Sequence, residues 1–248
     1  MIKSALYLLF LLALCHSATS NPKEIVASFG GTLPPWVIED GSKGILIDLL
    51  KDCLEPSNYK VTATLTPYAR RFIGYQLGRS DVVSDVNDKI IKDQNLEGFY
   101  TGDIYAYENF LYSLSEKKIT INKIEDLASY SLLSWQGAIA HIGGKYAEMA
   151  KQNKQYSETH NQKTQLRMLF NKRVDFIQMD GSIYQYYHDE MQNNNEVDGN
   201  VSVKKLPLFG KSPNGFLFKT ESARDSCLKN LTTVKNTSSY YDILYIKH

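Results

Sequence analysis

Short runs rich in β-branched residues alternate with amphipathic helical segments along much of this 248-residue chain. Residues 24–29, 61–66 and 81–86 predict three strands, because their side chains favour extended backbone. From Ile45 onward, apolar residues recur every four positions, which is typical of one face of a helix. Strands that alternate with helices pack as α/β layers with mostly parallel sheets, so the sequence predicts an α/β fold.

A second series of the same kind occupies the middle of the chain. Residues 131–135 predict a strand, residues 139–150 a helix and residues 165–170 a further helix. The polar stretch 151–162 between the two helices predicts a solvated connection.

The two series end alike. In the first, Arg79 is followed two residues later by Asp81 and a strand, and in the second Arg173 is followed by Asp175 and a strand. An internal repeat of this kind predicts two similar α/β lobes.

The N-terminus has the three-part pattern of a secretory signal. Lys3 precedes an apolar run at residues 5–14, and small and polar residues follow up to Ser20. The run is too short to span a bilayer, so we expect export to the periplasm with cleavage after Ser20. A lipid anchor at Cys15 is the alternative, although Leu14 is bulky for the usual processing site.

Charge and cysteine content narrow the class of partner. The formal net charge is +1 and there is no long run of Lys or Arg, which argues against nucleic acid or an anionic membrane as partner. The histidines and cysteines lack the spacing of metal ligands, so we predict no metal and no cofactor. After cleavage, Cys53 and Cys227 remain, either as one disulfide or as two buried thiols.

The order of several short motifs resembles a known family. The motifs are Pro-Pro-Trp at 34–36, Gly-Ile-Leu-Ile-Asp-Leu-Leu at 44–50, Gly-Arg-Ser-Asp at 78–81, the segment 105–113, Glu-Asp-Leu at 125–127, Arg-Val-Asp at 173–175 and the segment 238–244. Together they resemble the bacterial periplasmic substrate-binding proteins of the polar-amino-acid branch, which serve ABC transporters. The resemblance covers essentially residues 23–248.

The resemblance implies a two-lobed, type II periplasmic-binding-protein fold, with each lobe a mostly parallel sheet flanked by helices. Lobe one is expected at residues 21–108 plus 206–248 and lobe two at 109–205, after a signal peptide at 1–20, with two crossing strands as the hinge. Cys53 and Cys227 would then lie in the same lobe. The protein is expected to be a monomer that binds a small polar solute, an amino acid or related zwitterion, and to dock to a transporter permease.

In such a fold the ligand lies between the lobes, at loops beyond the strand ends. Pro34 and Pro35 present Trp36 from a stiff loop, where it can stack on a ligand or merely pack at a lobe edge. Of the adjacent Arg70 and Arg71, only one can point to the crevice, and we select Arg70 to bind a carboxylate. Tyr68 is a ligand candidate of similar position, with packing as its alternative role.

Two further candidate sites belong to the second series. Ser134, Trp135, Gln136 and Gly137 precede a predicted helix, whose free N–H groups favour an anionic group; a tight turn is the alternative. Asp180 matches the carboxylate that, in the family, holds the ligand's amino group, and its alternative role is a helix cap.

One departure bears on the ligand. The family usually has an arginine shortly after the third strand, but this chain has none there. Either Lys89 or Arg70 takes its place, or the ligand is not an α-amino acid. The first functional hypothesis is therefore a non-catalytic solute-binding protein of undefined ligand. The alternatives are an enzyme on the same scaffold, such as a cyclohexadienyl dehydratase with Asp180 as general acid, and a periplasmic sensor component.

Overall fold

The computed structural model describes residues 21–38, 41–67 and 70–234. The expected signal peptide with Cys15, the candidate Tyr68 and the motif at 238–244 lie outside the described residues. Within them, strands and helices alternate as the sequence predicts, and the mixed α/β fold class is confirmed.

The described residues form ten strands, which are β1 (Lys23–Phe29), β2 (Tyr59–Leu65), β3 (Val82–Val86), β4 (Phe99–Tyr100), β5 (Tyr105–Leu114), β6 (Leu132–Trp135), β7 (Tyr156–Thr159), β8 (Phe176–Asp180), β9 (Val203–Leu206) and β10 (Lys211–Phe218). The α-helices in the same part of the chain are α1 (Ile45–Leu54), α2 (Arg71–Gln76), α3 (Asp88–Asp93), α4 (Ala138–Ile142), α5 (Gly144–Gln152), α6 (Gln162–Phe170), α7 (Gly181–Asn193) and α8 (Glu221–Val234). None of them is long and apolar enough to cross a membrane.

The strands form one curled sheet in the order β2-β1-β3-β10-β5-β8-β6-β7, with β4 beside β10 and β9 beside β5. Strand β1 is parallel to β2 and β3, and β6 is parallel to β7 and β8. The two parallel groups are joined through the antiparallel pair β5 and β10. We call β1–β4 with the end of β10 the first lobe, and β6–β9 with the end of β5 the second lobe.

Strands β5 and β10 each run from one lobe into the other. Residues 105–108 of β5 pair with residues 211–214 of β10, and residues 109–112 of β5 then pair with β8. The last residues of β10 pair instead with β3. The two lobes are therefore connected by two adjacent strands, although the numerical boundaries at 108/109 and 205/206 stay a prediction.

Helix α1 packs tightly in the first lobe because its apolar residues face the sheet. Its buried residues are Leu46, Ile47, Leu49, Leu50, Cys53 and Leu54. A disulfide joins Cys53 to Cys227 of α8, with their Cα atoms 4.4 Å apart. Asn230 Nδ2 donates to the Cys53 carbonyl oxygen at 2.9 Å, so α1 and α8 are also held by a hydrogen bond.

Two local predictions for the second lobe are wrong. The single helix expected at 139–150 is two helices, because Gly143 and Gly144 both have positive φ, at 64° and 48°, which breaks the helical backbone. The polar stretch expected to be only a connection contains β7, whose residues are only partly buried at the edge of the sheet. Sheet edges tolerate such polar sequence because one side faces solvent.

Candidate functional site

The carboxyl ends of the central parallel strands of both lobes meet beside the crossing pair. In the first lobe, β1 leads to the loop of Trp36 and β3 carries Asp85 near its end. In the second lobe, β6 ends at Trp135 and β8 ends at Asp180. Since ligands in α/β sheets usually lie beyond such strand ends, this region is the candidate site.

The Trp36 loop is fixed against the start of α1. Leu33 and Val37 form a backbone bridge, and Leu46 N donates to Trp36 O at 3.0 Å. Gly44 permits this approach, because it has φ 133° and a Cβ there would lie 2.6 Å from Trp36 O. The loop is therefore held by the backbone, and its position is not set by proline stiffness alone.

The Trp36 side chain spans the two lobes at the crossing strand. It is only 1% exposed, and its ring centroid lies 4.5 Å from that of Tyr107 on β5. Its Nε1 donates to Asp180 Oδ1 at 3.0 Å. Trp36 thus faces Asp180 directly, and neither side chain is open to solvent in this conformation.

Asp180 accepts four hydrogen bonds, one of which comes from Trp36. Ser182 N and Ile183 N donate to its Oδ1 at 2.9 and 3.2 Å, as expected for the N-cap of α7. Glu108 N donates to its Oδ2 at 2.8 Å. Burial raises the pKa of Asp180, and these hydrogen bonds oppose the rise. The helix-cap role is therefore present in the structure.

Asp85 is a second buried carboxylate, and the sequence analysis missed it. Tyr105 and Tyr107 donate their hydroxyls to its Oδ1 at 3.0 and 2.7 Å, and Ser84 Oγ donates to its Oδ2 at 2.9 Å. Burial, and then the Asp85 charge, raise the pKa of both tyrosines well above the usual value. Asp85 also has φ 55°, an unusual backbone conformation for a non-glycine residue. An aspartate near the end of a strand was the available sequence signal.

The structure places the adjacent arginines differently, and the selection of Arg70 as the ligand-binding one stays a prediction. Arg70 is exposed at the start of α2, whereas Arg71 is fully buried and its Nη2 donates to the Asp85 carbonyl oxygen at 3.1 Å. The Arg71 guanidinium also lies 4.4 Å from the ring centroid of Phe72. Because neighbouring helical side chains point about 100° apart, only one of the two can face the crossing region.

Residues 134–137, which precede α4, were expected to offer free N–H groups to an anionic group. Glu158 on β7 already accepts hydrogen bonds from Gly137 N at 2.8 Å and from Ile139 N at 3.1 Å. Ser134 is fully buried, and its hydroxyl donates to Gln178 inside the second lobe. A side chain of the protein therefore already occupies two N–H groups at this helix start, and binding of an anion from solution by this segment stays a prediction.

The other two residues of that segment remain near the surface. Gln136 is exposed and its N–H donates to Thr159 O at 2.9 Å. Trp135 is partly buried, and its ring lies 5.2 Å from the ring of His141 on α4. The Trp135 Nε1 is buried with no hydrogen-bond partner among the described residues.

His141 extends the site towards the first lobe. Its side chain is exposed, yet crowding by the surrounding protein and the charge of Arg71 lower its pKa, with a further lowering from Lys89. The charge of Asp85 acts in the opposite direction. All three of these charged residues belong to the first lobe, so His141 of the second lobe lies within range of their charges. The sequence analysis did not select His141 as a site residue.

Comparison with solved structures identifies the fold. A histidine kinase sensor domain with similarity to periplasmic binding proteins aligns with 90% of this chain and 95% of its own, at TM-score 0.68 and 16% identity. An ancestral arginine-binding protein bound to arginine aligns with 90% and 97%, at TM-score 0.65 and 18% identity. The chain has the two-lobed, type II periplasmic-binding-protein fold.

The same periplasmic-binding-protein fold occurs in a third neighbour of different description. It is an ancestral amino-acid-binding protein, a precursor of cyclohexadienyl dehydratase, with TM-score 0.66, 16% identity and coverage of 89% and 93%. No protein-family model and no curated protein matches the sequence. At this identity the likeness establishes the fold, and the ligand has to be argued from this chain's own residues.

Proposed function

We propose that this protein captures a small polar solute between its two lobes and delivers it to a membrane transporter. The observation that carries the proposal is the convergence of polar and aromatic side chains from both lobes at the strand ends. The first lobe contributes Trp36, Arg71 and Asp85, and the second contributes Trp135, His141 and Asp180. Ligand pockets combine aromatic walls with a few fixed polar groups in this way.

The crossing strands support a binding mechanism by hinge closure. Because the lobes are joined by adjacent strands β5 and β10, a rotation about this pair changes the distance between α3 and α4 without breaking either sheet. A solute that contacts groups of both lobes gains some of these contacts only when the lobes approach. It therefore stabilises the closed state by its differential contacts.

The solved neighbours support solute binding in general. One was solved with bound arginine, and another, a substrate-binding protein of an ABC uptake transporter from Streptococcus pneumoniae, with bound histidine. By this analogy, the proposal includes export to the periplasm and action as a monomer that docks to a transporter permease. A sensor component would use the same ligand site and differ in its docking partner.

The coordination of Asp180 favours binding over catalysis. A general acid has to place a proton on an oxygen that faces the substrate. Both oxygens of Asp180 accept N–H hydrogen bonds, and Trp36 covers the carboxylate from the first lobe. Such an arrangement uses both oxygens as acceptors of the protein's own N–H groups, which does not favour Asp180 as a proton donor.

The experiment begins with native mass spectrometry of freshly purified protein, which detects a retained solute by its mass. The protein is then unfolded, stripped of solute and refolded, and its melting temperature is measured against a panel of amino acids and small organic acids. Both tryptophans of the sequence, Trp36 and Trp135, lie in the site, so closure should also change the intrinsic fluorescence.

A matched pair of variants tests the location of the site. His141→Gln removes a group that faces the first lobe, and we expect it to weaken binding of the identified solute about tenfold, or about 1.4 kcal/mol. Arg79→Gln, in the exposed turn that follows α2, should leave the dissociation constant unchanged. A flat response of refolded protein across the panel would contradict solute binding, and equal affinities of the two variants would contradict this site.

A further inference from the structure

Helix α4 has little apolar packing against the second lobe. Of its five residues, all of which the structure describes, only Ala138 is buried, whereas the adjacent α5 buries three residues. A helix of this length has little stability of its own, because most helical stability in proteins comes from the packing of an apolar face. Polar contacts should therefore contribute more to the position of α4 than to that of α5.

Glycines with positive φ lie at both ends of α4. Gly137 precedes the helix with φ 94°, and Gly143 and Gly144 follow it with φ 64° and 48°. Among the described residues, a Cβ at Gly143 or Gly144 would have nothing within 4 Å, so close neighbours do not confine these two glycines. Glycine adopts left-handed and right-handed backbone angles about equally readily. The two ends of α4 are therefore suited to act as joints.

The Glu158 carboxylate holds the start of α4. Glu158 lies on the edge strand β7, opposite Ser134 of β6. Its Oε2 accepts a hydrogen bond from Gly137 N at 2.8 Å and its Oε1 accepts one from Ile139 N at 3.1 Å. The first N–H groups of a helix lack partners within the helix, and bonds from such groups to a carboxylate are stronger than bonds between neutral groups. One side chain of β7 therefore fixes two backbone groups at this helix start.

Glu158 is itself fixed by a pair of tyrosines. Tyr156 donates its hydroxyl to Glu158 Oε1 at 2.7 Å, from two residues earlier on the same strand and thus from the same face. The Tyr156 hydroxyl lies 3.4 Å from the hydroxyl of Tyr146, which is a fully buried residue of α5. The carboxylate is therefore held in one position, and it transmits that position to α4.

The position of α4 determines the surroundings of Trp135. The Trp135 ring lies 5.2 Å from the ring of His141 on α4. A Cβ at Gly137 would lie 3.7 Å from Cζ3 of Trp135 and 3.6 Å from Cδ2 of His141, so the indole packs beside the start of the helix. A movement of α4 would therefore change the environment of this indole.

We propose that Glu158 is a positioning residue of the solute site. Its carboxylate holds α4 against the second lobe, and α4 opens about the glycines at its two ends when this hold is lost. The opening needs no rotation of the lobes, so it is a local motion in addition to hinge closure. That α4 borders a solute site rests on the proposed function, whereas its separate opening is a property of the second lobe alone.

Amide hydrogen exchange of the solute-free protein, followed by mass spectrometry, tests this hold. Glu158→Ala removes both acceptors, so exchange of residues 137–143 should become at least about tenfold faster. Glu158→Gln keeps one oxygen and should give a smaller increase. Glu148→Ala changes an exposed glutamate of α5 and is the matched control, which should exchange like wild type. Unchanged exchange of residues 137–143 in Glu158→Ala, or equal acceleration in β6 and β8, would overturn the proposal.

The two tryptophans of the sequence distinguish a local effect from a general loss of stability. A ¹⁵N–¹H spectrum of wild type contains two indole signals, and Trp135→Phe assigns them. In Glu158→Ala the Trp135 signal should shift, whereas the signal of Trp36, whose N–H is bonded to Asp180, should stay in place. A merely stabilising role of Glu158 would move neither signal of the folded protein. An unmoved Trp135 signal would therefore contradict the positioning role.

A measurement on wild-type protein covers the case in which Glu158→Ala does not fold. At low urea concentration, a segment that opens by itself exchanges at a rate that hardly depends on urea, because little surface is exposed in the opening. A segment that opens only with the whole lobe exchanges faster as urea increases. Residues 137–143 should show the first behaviour, and β6 and β8 the second. Exchange of residues 137–143 in step with β6 would overturn the separate opening.

The outcomes keep the two proposals apart. A compound of the panel that binds wild type should bind Glu158→Ala at least about threefold more weakly, and it should bind Glu148→Ala with wild-type affinity. Unchanged affinity of Glu158→Ala would refute the positioning role while it leaves solute binding intact. No response of wild type across the panel would refute solute binding, and the positioning role with it, even where α4 opens by itself.

Discussion

The disulfide between Cys53 and Cys227 should be the largest single contribution to stability that a double substitution can remove. The two cysteines are 174 residues apart and are fully buried, and the loop that they close contains the whole second lobe. In the chain-entropy description a 100-residue loop contributes about 4.7 kcal/mol, and the logarithmic growth gives about 5 kcal/mol for this one.

The expected loss on breaking the bond is about 3–5 kcal/mol, because native disulfides commonly deliver somewhat less than the entropy formula. For a protein of this size, each kcal/mol shifts the melting temperature by about 2–4 °C, so the decrease should be at least about 6 °C. Urea unfolding followed by circular dichroism is the assay, with oxidised wild type, reduced wild type and Cys53→Ala/Cys227→Ala compared.

Reduction distinguishes the cross-link from side-chain packing. It keeps both sulfur atoms between α1 and α8, whereas the double alanine variant also removes their volume. We expect oxidised protein to be the most stable, with reduced wild type well below it and the alanine variant at or below the reduced protein. The alanine variant should be insensitive to reductant, which controls for other effects. Equal stability of oxidised and reduced wild type would refute the entropy argument.

Two further predictions concern a close backbone contact and stability in acid. Gly215→Ala should lower the free energy of unfolding by at least about 3 kcal/mol or prevent folding, because a Cβ there would lie 2.1 Å from the carbonyl oxygen of Gly102. Gly31→Ala is the control, because a Cβ there would have nothing within 4 Å, and it should change the free energy of unfolding by less than about 0.5 kcal/mol. Burial raises the pKa of Asp175, but hydrogen bonds that include one from Lys117 outweigh it and leave the pKa below the usual value. The ionised Asp175 carboxylate should therefore stabilise the fold above about pH 4, and this stabilisation should be lost below it. Between pH 7 and pH 3, the melting temperature of Asp175→Asn should fall less than that of wild type. An equal fall in both proteins would contradict this assignment.

The parts of the fold that were predictable depend on local signals. The four-residue apolar period from Ile45 marks α1, and the β-branched runs mark β1 to β3, because these patterns reflect which side chains face the core. The break between α4 and α5 was also visible as Gly143-Gly144, a pair that favours positive φ. It was missed because the flanking residues continue the helical period.

The site was less predictable because its decisive contacts join distant parts of the chain. Glu158 reaches Gly137 from 21 residues away, and no local pattern marks a side chain of a sheet-edge strand as the cap of another element. The choice between Arg70 and Arg71 depends on the exact rotation of a six-residue helix, which the sequence does not define. The Trp36–Asp180 bond spans 144 residues and depends on how the two lobes meet.

The position of the Trp36–Asp180 bond bears on how the two lobes can move. Trp36 and Asp180 both contact β5, through the Tyr107 ring and the Glu108 N–H respectively, so they lie against one of the two strands about which the lobes would rotate. Points close to a rotation axis move least, and we therefore expect the bond to persist in the open and closed states. His141 on α4 belongs to the other lobe from Arg71, and its distance to the arginine changes with closure. The Trp36–Asp180 contact would then be constant, whereas the contacts that a solute makes with both lobes would arise only as the lobes close.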